Sequence, residues 1–245
     1  LLLPNSNLLI LKTYIMKAVT RVVASMILIS VVFPGAMNLR AQEGSSSGPS
    51  FDVGGDLVSS YVWRGSKFGN GPAIQPYVEF AAGNFSMGSW GSFCFTDAEA
   101  AEADLYISYG FDFGLSLGLT DYYFPGTSYF DYSDSTGSHG YEINVGFERA
   151  GFSVSANYML NEAGSAGTAG GDMYYEVGYD FGGVALFAGA GDGWHTPDGE
   201  FAVCNLGIST GKTLSISETF ELPVTGSVIL NPATEQFYVV LGLSL

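Results

Sequence analysis

Residues 102–120 read EADLYISYGFDFGLSLGLT, and their polarity repeats every second residue. Successive side chains of a strand point to opposite faces. Ala103, Leu105, Ile107, Tyr109 and Phe111 therefore share one face, and Glu102, Asp104, Tyr106, Ser108 and Asp112 share the other. Beyond the junction, Phe113, Leu115, Leu117 and Leu119 alternate with Gly114, Ser116, Gly118 and Thr120. A helix would scatter these two sets around its axis, whereas a strand separates them cleanly. The same period runs through 141–148, 152–161, 172–181 and 237–245, so the chain reads as all-β. The only helical candidate is a single turn within Asp97–Ala103.

Working outward from this hairpin, the spacing predicts twelve strands: 51–65, 72–83, 84–96, 102–112, 113–124, 140–149, 151–161, 171–181, 183–192, 200–209, 212–230 and 235–245. The eleventh is overlong and contains Pro223. Short turns are expected at Gly83–Asn84, Asp112–Phe113, Arg149–Gly151, Phe181–Gly183 and Ser209–Gly211. Longer loops are expected at 65–71, 97–101, 125–139, 162–170 and 193–199, with a short final connection at 231–234. Connections that alternate short and long are the mark of an up-and-down antiparallel β-barrel whose two ends differ.

Period two does not say which face is inside. Three features turn the apolar face outward and make this a transmembrane β-barrel. There are too many apolar faces for one soluble core. Lys and Arg, the usual residues of a soluble surface, are almost absent, at 8 in 245. Aromatic residues gather near strand ends, at Tyr122–Phe124, Tyr129–Phe130 and Tyr174–Tyr175, where an interfacial girdle is expected. The same composition excludes disorder. With 24 Asp and Glu against 8 Lys and Arg, a nucleic-acid partner is excluded too.

The N-terminal region reads as targeting sequence. Lys17 and Arg21 follow Met16, and the apolar run Val22–Phe33 is broken by Pro34 and Gly35 ahead of Ala41. This predicts a cleaved secretory signal at 16–41, with Met16 as the start and 1–15 as an upstream extension. The run is too short for a spanning helix, which needs ~20 residues. A Gly/Ser-rich linker follows at 42–50, and the barrel occupies 51–245. The expected location is the outer membrane of a Gram-negative envelope. Cleavage leaves Arg64, Lys67, Arg149 and Lys212 against all 24 acids.

Ser59-Ser60-Tyr61-Val62-Trp63-Arg64-Gly65, followed by Pro72-Ala73-Ile74-Gln75-Pro76, resembles the opening hairpin of the TorF-like porins (the Gcw_chp family). The later alternating strands are similar in pattern along 51–245. The resemblance implies an outer-membrane barrel with a channel role and implies no known substrate. The final strand, ending at Leu245, is similar to the C-terminal strand by which outer-membrane barrels engage their assembly machinery. The expected partners are therefore outer-membrane lipid, that machinery, and small solutes or cations.

Arg64 is the sole cation expected within the first strand, sharing a face with Asp52 and Asp56 and facing carboxylates such as Glu79 on the next strand. It reads either as a lumen cation that shapes a constriction or as a structural ion pair. Glu79, Glu102, Asp104, Glu142, Glu148, Asp172, Glu176 and Asp180 fall on inward positions and are expected to line the pore as a ring-like set. A narrow lumen of one sign concentrates the opposite ion. The expected function is thus a passive, cation-preferring channel for small solutes. A plugged barrel with a structural or surface-interaction role is the second reading, and an outer-membrane hydrolase the third. For the third, His139 lies near Asp131, Asp134 and Ser138, and His195 lies in Asp192–Asp198, but His and Asp are also ordinary loop residues. No pattern calls for a cofactor, a resident metal or a catalytic residue. Cys94 and Cys204, on the third and tenth strands with opposite facing, are expected to be free thiols.

Overall fold

A computed structural model describes residues 48–218 and 220–245. The expected extension at 1–15, the signal at 16–41 and most of the linker at 42–50 lie outside the described residues. Ser50, placed in the linker, already belongs to the first strand.

The elements in chain order are β1 (Ser50–Val58), β2 (Tyr61–Trp63), β3 (Ser66–Phe68), β4 (Ala73–Ala82), β5 (Phe85–Cys94), β6 (Ala101–Gly110), β7 (Leu115–Tyr123), β8 (His139–Arg149), β9 (Phe152–Met159), β10 (Met173–Asp180), β11 (Val184–Gly191), β12 (Ala202–Ser215), β13 (Glu221–Asn231) and β14 (Gln236–Ser244). Twelve of them form a closed antiparallel barrel, with β1 followed by β4 around the wall. β14 returns to β1 through Asp56↔Ser244, Leu57↔Leu243 and Val58↔Gly242. β2 and β3 pair with each other and stand apart from the wall. Closure satisfies the backbone of every wall strand without an open edge, which is the condition for crossing hydrocarbon.

The alternation read from the sequence holds around the wall. Leu105, Ile107 and Tyr109 point out and are exposed, while Glu102 and Asp104 between them are buried inside. Phe237, Val239 and Leu241 do the same on β14. An apolar belt of this kind around a closed barrel faces lipid rather than water.

Leu241→Arg, at a position 60% exposed on the outer face, is expected to cost about 2–4 kcal/mol if it lies near mid-depth and to block assembly. Ser244→Arg, on the inner parity, is expected to assemble. Heat-modifiable gel mobility of the two variants reads this directly. Equal assembly of both would overturn the assignment of faces. Gly242 is unsuitable as the inward control, because a Cβ there would sit 2.5 Å from Thr225 Oγ1.

Three expectations about elements are corrected. The first strand does not run to residue 65. It ends at Val58, where Ser59 N–H still donates to Leu241 O (2.8 Å) and the Ser59 hydroxyl accepts from Leu241 N–H (2.9 Å). Those bonds finish the ladder as the chain turns off the wall. The expected turn at Ser209–Gly211 is absent: Gly211 is extended and pairs with Thr225. Glycine permits a turn but does not require one. β12 runs on to Ser215, β13 begins at Glu221, and Pro223 sits inside β13 opposite Thr213. The candidate helical turn at Asp97–Ala103 is one hydrogen-bonded turn, Ala100 N–H donating to Asp97 O at 3.1 Å, that leads into β6 without becoming a helix, and the one 3₁₀ helix among the described residues is Gly193–His195. The other four short turns lie where expected, so long loops share one end of the barrel and short turns the other.

Candidate functional site: a hairpin across the lumen

Residues 59–72 connect β1 to β4 at the loop end. Instead of standing above the rim, they fold inward and place the β2–β3 hairpin inside the lumen. Trp63 and Ser66 pair across a two-residue turn made of Arg64 and Gly65, with φ of 49° and 83°. Two positive φ values are the requirement of a type I′ hairpin turn. Gly65 meets the second without strain, and Arg64 adopts a conformation that a non-glycine residue takes at some energetic cost.

Four residues of the hairpin seat it against the wall and loops. Tyr61 joins Val58, Ala73 and Trp90 in one apolar cluster, and its hydroxyl donates to Glu102 Oε1 at 3.3 Å. Val62 packs in a second cluster with Phe187, Ile229 and Val240. Trp63 meets Tyr122 and Trp194 edge-on, with ring centroids 5.6 and 5.3 Å away. The Gly65 carbonyl accepts from Asn231 Nδ2 at 3.0 Å. The barrel interior at the loop end is therefore a packed core built around this hairpin, rather than an aqueous bore.

Arg64 carries the charge of the arrangement. Its Nη1 and Nη2 donate to Glu142 Oε2 and Oε1 at 2.7 and 2.8 Å, a bidentate pair. The guanidinium is 4.5 Å from the ring centres of both Trp63 and Tyr174. Glu142 is 1% exposed and also accepts from the Tyr122 hydroxyl (3.1 Å) and Asn144 Nδ2 (2.6 Å). The expected partner, Glu79, is not the one used: Glu79 accepts from the Tyr106 hydroxyl at 2.9 Å, nearer the turn end. The correction has a simple geometric cause. Arg64 is not on the first wall strand, so wall parity does not select its partner.

The remaining carboxylates divide into groups and do not make a ring. Glu102, Asp104, Glu142 and Glu176 are buried near the hairpin. Glu176 accepts from the Tyr174 hydroxyl and from Asn205 Nδ2. Asp172 is buried just before β10 and accepts from Thr168 Oγ1 at 2.8 Å. Glu148 and Asp180 are exposed at the turn end. Asp180 accepts from the backbone N–H groups of Gly182 and Gly183, and so caps a turn rather than lining a bore. Tyr122 and Tyr174, expected in the interfacial girdle, are inside the lumen on the carboxylates just named, whereas Tyr129, Phe130 and Tyr175 are exposed.

His195 lies beside this cluster. Its Nε2 accepts from Trp194 Nε1–H at 3.1 Å and is 3.5 Å from Arg64 Nη1. Both neighbours only donate, so the ring proton is on Nδ1. Burial, aided by the Arg64 charge, pushes the His195 pKa down to about 2, so the ring is neutral. His139 faces Asp121 through Nδ1 (2.9 Å) and the Tyr129 carbonyl through Nε2 (2.5 Å). Neither ring is hydrogen-bonded to a serine hydroxyl among the described residues. No group of three metal-binding side chains converges among them either.

Cys94 and Cys204 are free thiols, the second fully buried. Cys204 occupies a β-bulge: Gly189 pairs with Asn205 and Ala190 with Val203, leaving Cys204 unpaired between them. At the bulge the backbone of the hairpin turn lies against the backbone of the wall. A Cβ at Gly65 would lie 1.9 Å from the Cys204 carbonyl oxygen. Alternation counted through residue 204 misassigns the inner face, and nothing in the local sequence marks the slip. Arg64-Gly65 flanked by Trp63 and Ser66 was a legible turn signal, because a glycine at the second position of a two-residue turn suits the I′ hairpin.

No family model matches the chain, and no curated protein does. Among solved structures, a triple mutant of the Rhodopseudomonas blastica porin is 16% identical, with 76% of this chain aligned to 61% of that one at a TM-score of 0.37. A second Rh. blastica porin variant is 14% identical over 71% of this chain and 55% of that chain, again at 0.37. Outer membrane phospholipase A from Escherichia coli is 11% identical, with 81% of this chain aligned to 90% of that one at a TM-score of 0.37. The alignment thus spans 55% and 61% of the length of these two porin variants.

Proposed function

We propose that this protein is an outer-membrane barrel of the porin kind, related to the TorF-like porins, whose pore is held shut by its own first loop and conducts small cations when that loop withdraws. The observation that carries this reading is the bidentate Arg64–Glu142 pair at the tip of a hairpin that crosses the lumen. The hairpin strands pair only with each other, so the hairpin can leave without breaking the wall ladder. A charged pair on a strained turn is a contact that can be exchanged as a unit. Once the hairpin leaves, the open path is lined by the inner carboxylates of the wall, including Asp52, Asp56 and Glu79 toward the turn end. Such a bore favours cations.

Planar-bilayer recording of the folded protein tests the closed resting state. The wild type is expected to be silent apart from brief openings, and a steady open conductance would overturn the proposal. In a variant that conducts, reversal potential under a salt gradient is expected to show cation preference. Asp52→Asn with Glu79→Gln is expected to move it toward zero. The preference should fade as the screening length falls from ~10 Å at 0.1 M salt to ~3 Å at 1 M. Anion selectivity in the open state would show that these carboxylates do not govern the path.

A further inference from the structure

The hairpin does more than fill the lumen, because its loop-facing side is the floor of a cavity of about 460 Å³. That volume falls within the range of small-ligand sites. The walls are aromatic: Trp63 and Phe68 come from the hairpin, Tyr122 and Phe124 from the end of β7, and Trp194 from the loop after β11. Loop residues 164–167 close another side. Two charged groups line this space, and they differ in position. Glu102 is 5% exposed, at the inner end of the cavity, whereas Lys67 is exposed to solvent.

The carboxylate end is built but not saturated. Glu102 accepts one bond, from the Tyr61 hydroxyl at 3.3 Å. Asp104 Oδ1 is buried and has no hydrogen-bond partner. Arg64, the nearest guanidinium, is committed to Glu142. A buried carboxyl side chain beneath aromatic walls is the setting in which an organic ammonium group is bound, through the ring faces and the carboxylate together. The exposed Lys67 ammonium then suits an anionic group at the other end of the same ligand.

We propose that this cavity is a binding site for a small zwitterion, with a methylated or primary ammonium directed inward toward Glu102 and an acidic group directed outward toward Lys67. The site opens on the loop side of the hairpin and needs no open pore, so it stands independently of any conductance. Its polarity excludes two other ligand classes. A plain anion would meet the buried Glu102 side chain, and a neutral apolar molecule would gain nothing from Glu102 or Lys67.

Calorimetric titration of the folded wild-type barrel in detergent tests this with three probes: glycine betaine, choline, and the neutral carbon analogue of choline in which a quaternary carbon replaces the nitrogen. Betaine is expected to bind best, and choline about tenfold better than its neutral analogue. Glu102→Gln is expected to remove the difference between choline and the neutral analogue. Lys67→Ala is expected to bring betaine down to the level of choline while leaving choline unchanged. Lys67 is exposed, so that variant folds irrespective of the outcome for Glu102. Equal binding of choline and its neutral analogue by the wild type would reduce the cavity to an apolar pocket and overturn the proposal. Absence of betaine binding would also overturn it.

Discussion

Arg64→Ala is expected to turn a silent barrel into a conducting one while leaving it inserted in the membrane. The substitution leaves Glu142 with Tyr122 and Asn144 as donors but without a counter-charge, at 1% exposure. Removing one member of a buried pair typically costs about 3–5 kcal/mol, because the other charge stays desolvated. The protein can relieve that cost by letting the hairpin swing out and water reach Glu142. Nothing in the wall ladder depends on the hairpin strands, which pair only with each other. The barrel should therefore keep its heat-modifiable mobility as the pore opens. Arg64→Lys is expected to fall between the two, since a lysine keeps the charge and loses the planar, two-pronged contact. Glu142→Gln should open the pore as well, because it leaves the Arg64 guanidinium buried without a counter-charge and replaces one of its two acceptor oxygens with a donor. Silence of Arg64→Ala in bilayers, with assembly intact, would show that the two apolar clusters hold the hairpin without the ion pair.

The second large effect is at Gly65. Gly65→Ala meets two penalties at once. Its φ of 83° belongs to the left-handed region, and its Cβ would lie 1.9 Å from the Cys204 carbonyl oxygen. The first penalty is about 1–2 kcal/mol, and the second is a backbone clash that no rotamer relieves. Gly199→Ala separates them: its φ is 74° and a Cβ there meets nothing within 4 Å. Gly199→Ala is expected to assemble and stay closed. Gly65→Ala is expected to expel the hairpin and uncover Cys204, which is otherwise fully buried. With Cys94→Ser as background, a water-soluble maleimide should label Cys204 in the Gly65→Ala variant and not in the parent. Unchanged protection of Cys204 would mean that the bulge yields instead of the hairpin.

The parts legible in the sequence share a physical origin. Alternation in 102–120 placed Leu105, Ile107 and Tyr109 outside and Glu102 and Asp104 inside, because the pleat of a strand fixes which neighbours share a face. The same rule placed Glu142 and Glu176 in the lumen. Turn residues located four of the five short connections. It failed at Gly211, where a glycine lies extended in mid-strand opposite Thr225, and β12 continues through it. The hairpin itself was half legible. Ser59-Ser60 interrupts the alternation and Arg64-Gly65 is a turn signal, but both are equally compatible with a loop that stands above the rim.

The sequence by itself determined a closed barrel with an apolar exterior and an acidic interior, because those properties follow from residue period, strand number and charge, all local or additive. The tertiary structure alone decided that residues 59–72 enter the lumen, that Arg64 meets Glu142 rather than Glu79, and that a bulge brings the Cys204 carbonyl against Gly65. Arg64 and Glu142 are 78 positions apart in the chain, and no periodicity connects them. Whether a loop folds in or out depends on whether the ring of wall residues offers a matching cavity, charge and donors. That ring exists only once all twelve strands have closed around it.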